Sequence, residues 1–576
     1  MGGRDAVGAG SMGSGSGGTR SGPGRPGRAG AASRRGFLAG GAVALAAAAC
    51  SSGGSSGSTP APRPTGRPGL RPATPIPGVG DEVFSLGVAS GDPLPDGVIL
   101  WTRLVAAPSG GTPLPSSDIP VDWQVATDER FTDVVAVGTQ TATPALAHSV
   151  HVDVRGLQPG RVYFYRFRAG TVLSPVGRTR TAPAASAAAS SLSFALASCQ
   201  DFQNGYWPAY NAIAADDLDL VVHVGDYIYE YDPDSRFPDR RHTTPATPGL
   251  NQLRTLDDYR NRYAQYKTDP ALQAAHAAAA WVVTWDDHET ENNYAGLTDE
   301  SGDTGDKHED PAVFSRQRAA AYQAYYEHMP IRVGYVPGSP DLRLYRRFTF
   351  GDLLTLNVMD TRQYRTPQPG RVSQDVGRAS LGENNISGTM AGPEQEAWLT
   401  GGLRASSTRW NVIAQQTMMA QLHAQVVPGI GDVLTNLDQN DGYVPYRTRL
   451  LSAVRDSRVH NPVVLSGDIH CAWVNDLRVD FNQPETPVIG TEFVCTSISS
   501  GFFLVNEEFV RQNNRLLNPH VRYFRGEKRG YTRIRVSPQQ WRAEMRVAET
   551  IDRRDAPVST DATWVVEDGR PGAQPA

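Results

Sequence analysis

The chain has 576 residues and a formal net charge of −5, too long for one compact core, so two or more domains are expected. Residues 1–50 carry six Arg against one Asp, a charge of +5 that leaves −10 for the remainder. That acidic body argues against a nucleic-acid partner and suits a protein that holds multivalent cations. Four Cys are too few for a disulfide-built scaffold. An oxidising compartment would allow a bridge between Cys471 and Cys495, although nothing in the sequence requires it. Beyond the N-terminal segment no apolar run approaches the roughly 20 residues that span a bilayer.

Residues 1–32 are Gly, Ser, Ala and Arg without periodicity. Ser33-Arg34-Arg35-Gly36-Phe37-Leu38 and a short, weakly apolar, Ala-rich run follow. Residues 1–50 therefore read as a twin-arginine export signal, whose partner is the twin-arginine export machinery. That route carries folded proteins, so a metal site can be loaded before export. Ala47-Ala48-Ala49-Cys50 resembles a lipoprotein cleavage box that would tether the protein to a membrane through lipidated Cys50. Ala47 stands where such boxes usually have Leu, and ordinary cleavage at nearby small residues is the alternative. Residues 51–80 are a Ser/Gly-rich then Pro-rich linker, fit for a protein standing off a surface.

Residues 81–183 show short alternating runs such as VILWTRLV, VDWQVAT and SVHVDVRGL between turn signals. They predict an N-terminal β-sandwich of about 100 residues that serves as a structural partner. The main domain, residues 191–550, opens with a buried strand from Ser193 that ends in Cys199. A Cys at a strand end is most often a small buried hydrophobe. A helix over Tyr206–Ala215 leads to Val221–Tyr231, VVHVGDYIYEY, an apolar strand closing in Gly225-Asp226. Strand, helix, strand gives a parallel unit, and ligands bind just beyond the carboxyl ends of such strands.

Helices are expected over Leu256–Tyr266 and Pro270–Ala280, then a strand Trp281–Trp285 that runs into Asp286-Asp287-His288-Glu289. An acidic, Gly-containing loop covers 299–310, and an aromatic-rich helix Arg316–Met329. Strands Leu344–Phe350 and Leu353–Met359 precede Asp360-Thr361-Arg362, followed by helix Pro393–Arg404, strand Trp410–Ala414 and helix Tyr446–Val454. Strand Pro462–Ser466 leads into Gly467-Asp468-Ile469-His470. On extended backbone an Asp and a His two residues apart share one face. Later strands are Glu492–Thr496, Thr532–Val536 and Trp541–Val547, and residues 551–576 read as a C-terminal tail.

Four strand ends thus carry candidate ligands: Cys199, Asp226 with Tyr229, Asp287 with His288, and Asp468 with His470. Thiolate and phenolate suit ferric iron, whereas a carboxylate-rich set suits a harder ion such as Ca²⁺. Asp226 lies between the two sets and is placed to bridge. Two cations held close clamp the attacking and leaving oxygens of an in-line displacement at phosphorus.

SCQ at 198, GDYIYEY at 225, WDDHE at 285, DTRQYR at 360 and GDIHCAW at 467 resemble the alkaline phosphatase D family, over nearly the whole chain. The pattern is also similar to the wider calcineurin-like metallophosphoesterases, whose signatures are GDxxD, GNH[DE] and GHxH. Here Tyr229 replaces the second Asp, Asp287 the Asn and Asp468 the first His, departures that match the D family. The fold implied is α/β: a calcineurin-like metallophosphatase β-sandwich flanked by helices, preceded by a fibronectin- or immunoglobulin-like β-sandwich.

The cofactors implied are Fe³⁺ and Ca²⁺. Cys199, Asp226, Tyr229 and His470 would hold the iron, and Asp226, Asp287 and Asp468 the calcium. Arg260 or Arg262 would meet the charge of the phosphate, and the sequence does not separate them. His288 matches the His of GNH and is a candidate general acid or an orienting residue, with Glu289 and Asn292 as supporting partners. The activity implied is that of an exported phosphoester hydrolase, an alkaline phosphatase with phosphodiesterase capacity, acting on monoesters or diesters. A metal-bound oxide or hydroxide would attack phosphorus with no phosphoenzyme. A phosphodiesterase of the phospholipase D type is the alternative. A non-catalytic, calcium-binding envelope protein would lack the complete ligand set.

Overall fold

A computed structural model describes residues 69–106, 114–233, 241, 252–300, 309–370, 376–427, 429–501 and 507–576. The expected export signal, the Cys50 box and linker residues 51–68 lie outside them. Among the described residues no helix is long and apolar enough to cross a membrane.

Leu192–Ala197, Leu220–His223 and Ala280–Val283 lie side by side and parallel, with Val221 between Ala195 and Trp281. Their runs are apolar on both faces because both faces are covered, as parallel strands require. Helix Pro208–Ala215 connects the first two, and helices Leu256–Lys267 and Pro270–Ala278 precede the third. A second sheet runs in the order Arg346–Phe350, Leu354–Val358, Trp410–Ala414, Pro462–Ser466, Gly490–Val494, Ala472–Leu477, Val521–Arg525. Phe194, Leu196, Val222 and Val282 of the first sheet pack with Leu356, Val412, Val463 and Phe493 of the second in one core. Helix Pro311–His328 joins the three earlier helices over the outer face of the first sheet. Helices Gly392–Ala405 and Val444–Ser457 cover the second.

The first sheet does not stop at these three strands. Val88–Leu94 pairs parallel with Ala280–Val283, matching Ser90 to Ala280 and Gly91 to Trp281. Gly97–Arg103 and Ser149–Arg155 continue it. A further sheet, built on Ile119–Ala126, Val134–Ala142 and Val162–Ala169, faces this extension across a core that includes Val88, Leu100, Val121, Val125 and Tyr165. A side chain at Gly91 would collide with the carbonyl of Pro330, so the close approach requires glycine. Asp92 next to it is fully buried and receives Arg346 through Nε (2.9 Å) and Nη2 (2.7 Å), plus the backbone N–H of Arg332 (2.7 Å). The N-terminal strands are thereby bonded into the sheet that carries the site.

Two expectations change. The helix expected from Arg316 begins at Pro311, because Asp310 caps it by accepting from the N–H of Ala312 (2.8 Å) and Pro occupies its first turn. The expected tail contains two strands, Val558–Glu567 and Arg570–Pro575, which complete the far edge of the ten-stranded sheet. Polar residues on those edge strands face outward, which hid them among loop-like sequence.

Candidate metal centre

The site is built from tight turns that end buried strands. Cys199 (φ 61°), Asp226 (φ 55°), Asp468 (φ 67°) and His470 (φ 56°) all adopt left-handed backbone, a conformation that costs an L residue about 1 kcal/mol or more. Strain of this kind gathers at sites where surrounding structure fixes the geometry. Gly225 (φ 114°) lets the Asp226 loop press against the neighbouring one, since a side chain there would collide with Asp286. A Cβ at Gly467 would stand 2.6 Å from Ser198 Oγ.

The Gly467–His470 segment is therefore a turn rather than an extended run, and the expected single face does not form. The turn instead sends its two side chains to different partners. Donor atoms of His470, Cys199 and Asp226 lie within 4.8 Å of one another, as do those of Asp468, Asp286 and Asp287. A third group joins Asp226, Asp287 and His288 within the same distance. Tyr229 enters through its hydroxyl, which lies 3.1 Å from Asp226 Oδ2 and 3.0 Å from His470 Nε2. Ser500 Oγ stands 2.7 Å from the same phenol. His470 donates Nδ1–H to the carbonyl of Gly501 (2.7 Å), which leaves Nε2 turned to the cluster.

Glu289 fixes the two acidic loops. Its carboxylate accepts the backbone N–H groups of Asp226 (3.1 Å), Tyr227 (2.7 Å) and Asp286 (2.8 Å). Asn292 donates its backbone N–H to Glu230 (2.7 Å), and Glu230 in turn meets His288 Nδ1 at 2.8 Å.

Burial and the closeness of the donors to one another shift their titration. Burial, then the charge of Asp226, pushes the Cys199 thiol and the Tyr229 phenol well above their ordinary values. Burial likewise pushes Asp226 well up, lifts Asp468 to about 6 and lowers His470 to about 3. At Asp287 burial is outweighed by Arg362 and His288, which hold its carboxyl below the usual range. Asp226 Oδ1 and Asp287 Oδ1 are buried without any hydrogen-bond partner. Buried polar atoms are normally satisfied, so thiol, phenol, imidazole and open carboxylate oxygens together fit bound cations.

The two arginines expected to meet phosphate separate. Arg260 does not reach the cluster: its guanidinium grips fully buried Glu327 through Nε (2.7 Å) and Nη2 (2.6 Å) on the flank of the helix. Arg262 does lie beside the site, where Nη1 donates to the carbonyls of Tyr229 and Tyr231.

A different cation was missed. Arg362, fully buried, donates to Asp286, to Asp438 (2.9 Å) and to Asp468 (3.2 Å), and lies 3.5 Å from Asp287. Its signal was available in DTRQYR, an Arg just past a buried strand with no apolar reason to be there. Gln439, which donates to Asp468 Oδ2, had no comparable signal. The bridge considered between Cys471 and Cys495 is absent: both are free thiols, with Cys471 bonded to the Ile469 carbonyl (3.0 Å) and Cys495 3.2 Å from Ser198 Oγ.

Comparison with known proteins identifies the family. Residues 194–545 match the PhoD-like phosphatase family, and residues 71–183 match the PhoD-like phosphatase N-terminal domain. Alkaline phosphatase D of Bacillus subtilis (strain 168) is 44% identical over 490 residues, which cover 85% of this chain and 82% of that protein. The structure described as that of PhoD superposes with a TM-score of 0.78 at 43% identity, over 87% of this chain and 93% of that one. A purple acid phosphatase from yellow lupin seeds shares the fold alone, with a TM-score of 0.50 and 11% identity over 84% of this chain and 73% of that one. The chain is a phosphoester hydrolase and belongs to the PhoD-like phosphatase family.

Proposed function

We propose that this hydrolase is an exported alkaline phosphatase with phosphodiesterase capacity, dependent on Fe³⁺ and Ca²⁺. The observation that carries the reading is the convergence of Cys199, Asp226 and His470 donor atoms within 4.8 Å, with the Tyr229 phenol 3.0 Å from His470. Soft and phenolic donors of that kind suit ferric iron. Asp287 and Asp468, with Asp226 between the two sets, would hold calcium. When bound, such cations supply Lewis-acid charge to a phosphoryl group and activate water for attack.

The chain's own residues do the rest. Glu289 holds the Asp226 and Asp286 loops together, so the ligand set is formed before substrate arrives. Arg362 orients Asp468 and Asp286 from behind. Arg262 braces the Tyr229–Tyr231 loop and is the remaining candidate of the two arginines for contact with the phosphate. His288, in reach of Asp226 and Asp287, is the group proposed to serve the leaving oxygen.

In domain terms, we read residues 81–183 as the fibronectin- or immunoglobulin-like sandwich and the body from 191 as a calcineurin-like metallophosphatase. Export through the twin-arginine route, with a tether at Cys50, rests on SRRGFL and the AAAC box.

The test is elemental analysis of protein purified from the exported fraction, beside turnover of phenyl phosphate and bis(4-nitrophenyl) phosphate with and without chelator. Iron and calcium near stoichiometric, with activity lost to chelator, are expected. Full activity in metal-free protein would sink the proposal.

A further inference from the structure

A cavity of about 350 Å³ has Ser499, Gly501, Lys528 and Arg529 among its walls. Ligand pockets run from roughly 300 to 1,000 Å³, so this one admits a small molecule rather than a polymer. It adjoins His470 on the side away from Nε2. The Gly501 carbonyl accepts His470 Nδ1–H (2.7 Å), and Arg529 Nη1 donates to the His470 carbonyl (3.2 Å). The cavity is therefore a neighbour of the candidate metal centre and separate from the space between its donors.

The charges around it are sorted by depth. Lys528 and Arg529 are half-buried, whereas the three acids of the lining, Glu527, Glu549 and Asp552, are on exposed residues. Two of those acids are already engaged: Glu549 pairs with Arg553 (3.0 Å), and Asp552 accepts from the Thr550 hydroxyl (3.0 Å). Neither cation is paired with a carboxylate among the described residues. Arg529 Nη1 is held only by the carbonyls of His470, Gly526 (2.9 Å) and Lys528 (2.9 Å). Lys528 acts on Asp561 from a distance, because Arg525 and Tyr523 hold that carboxylate. Other buried arginines of this body behave differently: Arg362, Arg365 and Arg447 each meet an acid. Burial lowers the Arg529 pKa, and Cys471, Cys199 and Tyr229 stand near enough to oppose that shift. A guanidinium braced by backbone, with an unpaired ammonium beside it, is arranged to receive an anion.

Resting on the phosphatase reading above, we infer that Lys528 and Arg529 form a specificity subsite for a second anionic group, a carboxylate or a phosphate carried by the leaving alcohol. The reacting phosphoryl group stays with the metal ligands, and the far end of the alcohol reaches past His470 into the cavity. The exposed acids at the rim leave the anion one favourable place, beside the two deeper cations.

The test measures kcat/KM of the metal-loaded enzyme on two matched pairs of esters. Phenyl phosphate is set against 4-carboxyphenyl phosphate, and propyl phosphate against propane-1,3-diol bisphosphate, so carboxylate and phosphate are tried separately. Wild type should prefer the anionic member of at least one pair by about tenfold at low salt, and the preference should shrink as salt is added. In Lys528→Gln and in Arg529→Gln it should fall to within about threefold of unity, and Lys528→Glu should reverse it. Equal kcat/KM within both pairs for wild type, or a preference that the variants keep, overturns the inference. If Arg529→Gln fails to fold or loses metal, the two Lys528 variants decide by the same criterion. Failure of the wild type to hydrolyse phenyl phosphate would count against the phosphatase reading instead.

Discussion

Replacing Glu289 by Gln tests whether one side chain holds the two acidic loops in place. Glu289 Oε1 accepts from the N–H of Tyr227 (2.7 Å), and Oε2 from those of Asp226 (3.1 Å) and Asp286 (2.8 Å). A Gln keeps one acceptor oxygen, so it can retain the pair on Oε2 as neutral bonds. Its NH₂ group then faces the N–H of Tyr227, which is buried and loses its partner. Losing one charge-assisted bond costs about 2 kcal/mol and the orphaned N–H about as much again, roughly 4 kcal/mol in all. For about 500 ordered residues the unfolding entropy is about 1 kcal/mol/K, so Tm should fall by about 4 °C. Burial lifts Glu289 to about 7, so the comparison belongs at pH 9, where the wild-type carboxylate is ionised. Calorimetry at a fixed scan rate, with metal content measured on the same samples, gives the answer. A Tm within 1 °C of wild type and unchanged metal content would refute the idea that Glu289 braces the site.

Arg260→Gln should spare the chemistry and harm the fold. Glu327 is fully buried, and breaking such a pair costs about 3–5 kcal/mol. Tm should drop by a few degrees while kcat/KM of the folded protein stays within twofold. A selective rise in KM would return Arg260 to the substrate site. Metal reloading should acidify the solution, because burial keeps the Cys199 thiol and Tyr229 phenol protonated until a cation displaces their protons. A pH-stat titration of chelated protein should record net proton release on metal addition, and none would contradict the proposed ligands. Buried His223 and His520 sit at about 3 and about 4, both lowered by burial, against about 6.5 when unfolded. Unfolded chains therefore bind protons first, so stability is complete above pH 6.5 and is lost as pH falls through 6.5 toward 4. His520→Gln should flatten that decline in Tm, and an identical slope would exclude His520 as a contributor.

Legibility in the sequence tracked the physics of each element. Trp410–Ala414 and Pro462–Ser466 form strands with the bounds expected from sequence, because a strand buried on both faces is a continuous apolar run. Cys199, Asp226, Tyr229 and His470 were nameable because their side-chain chemistry is rare at strand ends, and the structure draws them together. Their left-handed backbone was not nameable: φ above zero in a non-glycine residue is imposed by surroundings, and the sequence pattern at Asp468 and His470 implies extended geometry where the structure turns. Arginine partners were the least legible. Arg260 and Glu327 are 67 residues apart in sequence, and Arg362 meets Asp286 across 76. A guanidinium's destination depends on how the layers stack, which local pattern does not encode.

The parallel pairing of Val88–Leu94 on Ala280–Val283 has a bearing on how this enzyme can be engineered. Cutting the chain near residue 183 to isolate the hydrolase would strip the neighbour from a strand that is buried along its whole length. The bared amides and carbonyls would then recruit whatever backbone lies nearest, including another copy's. Minimal versions of the protein should therefore be trimmed from residue 1 inward only as far as about residue 68, and chimeras should exchange the front portion as a donor strand rather than as a detachable bead.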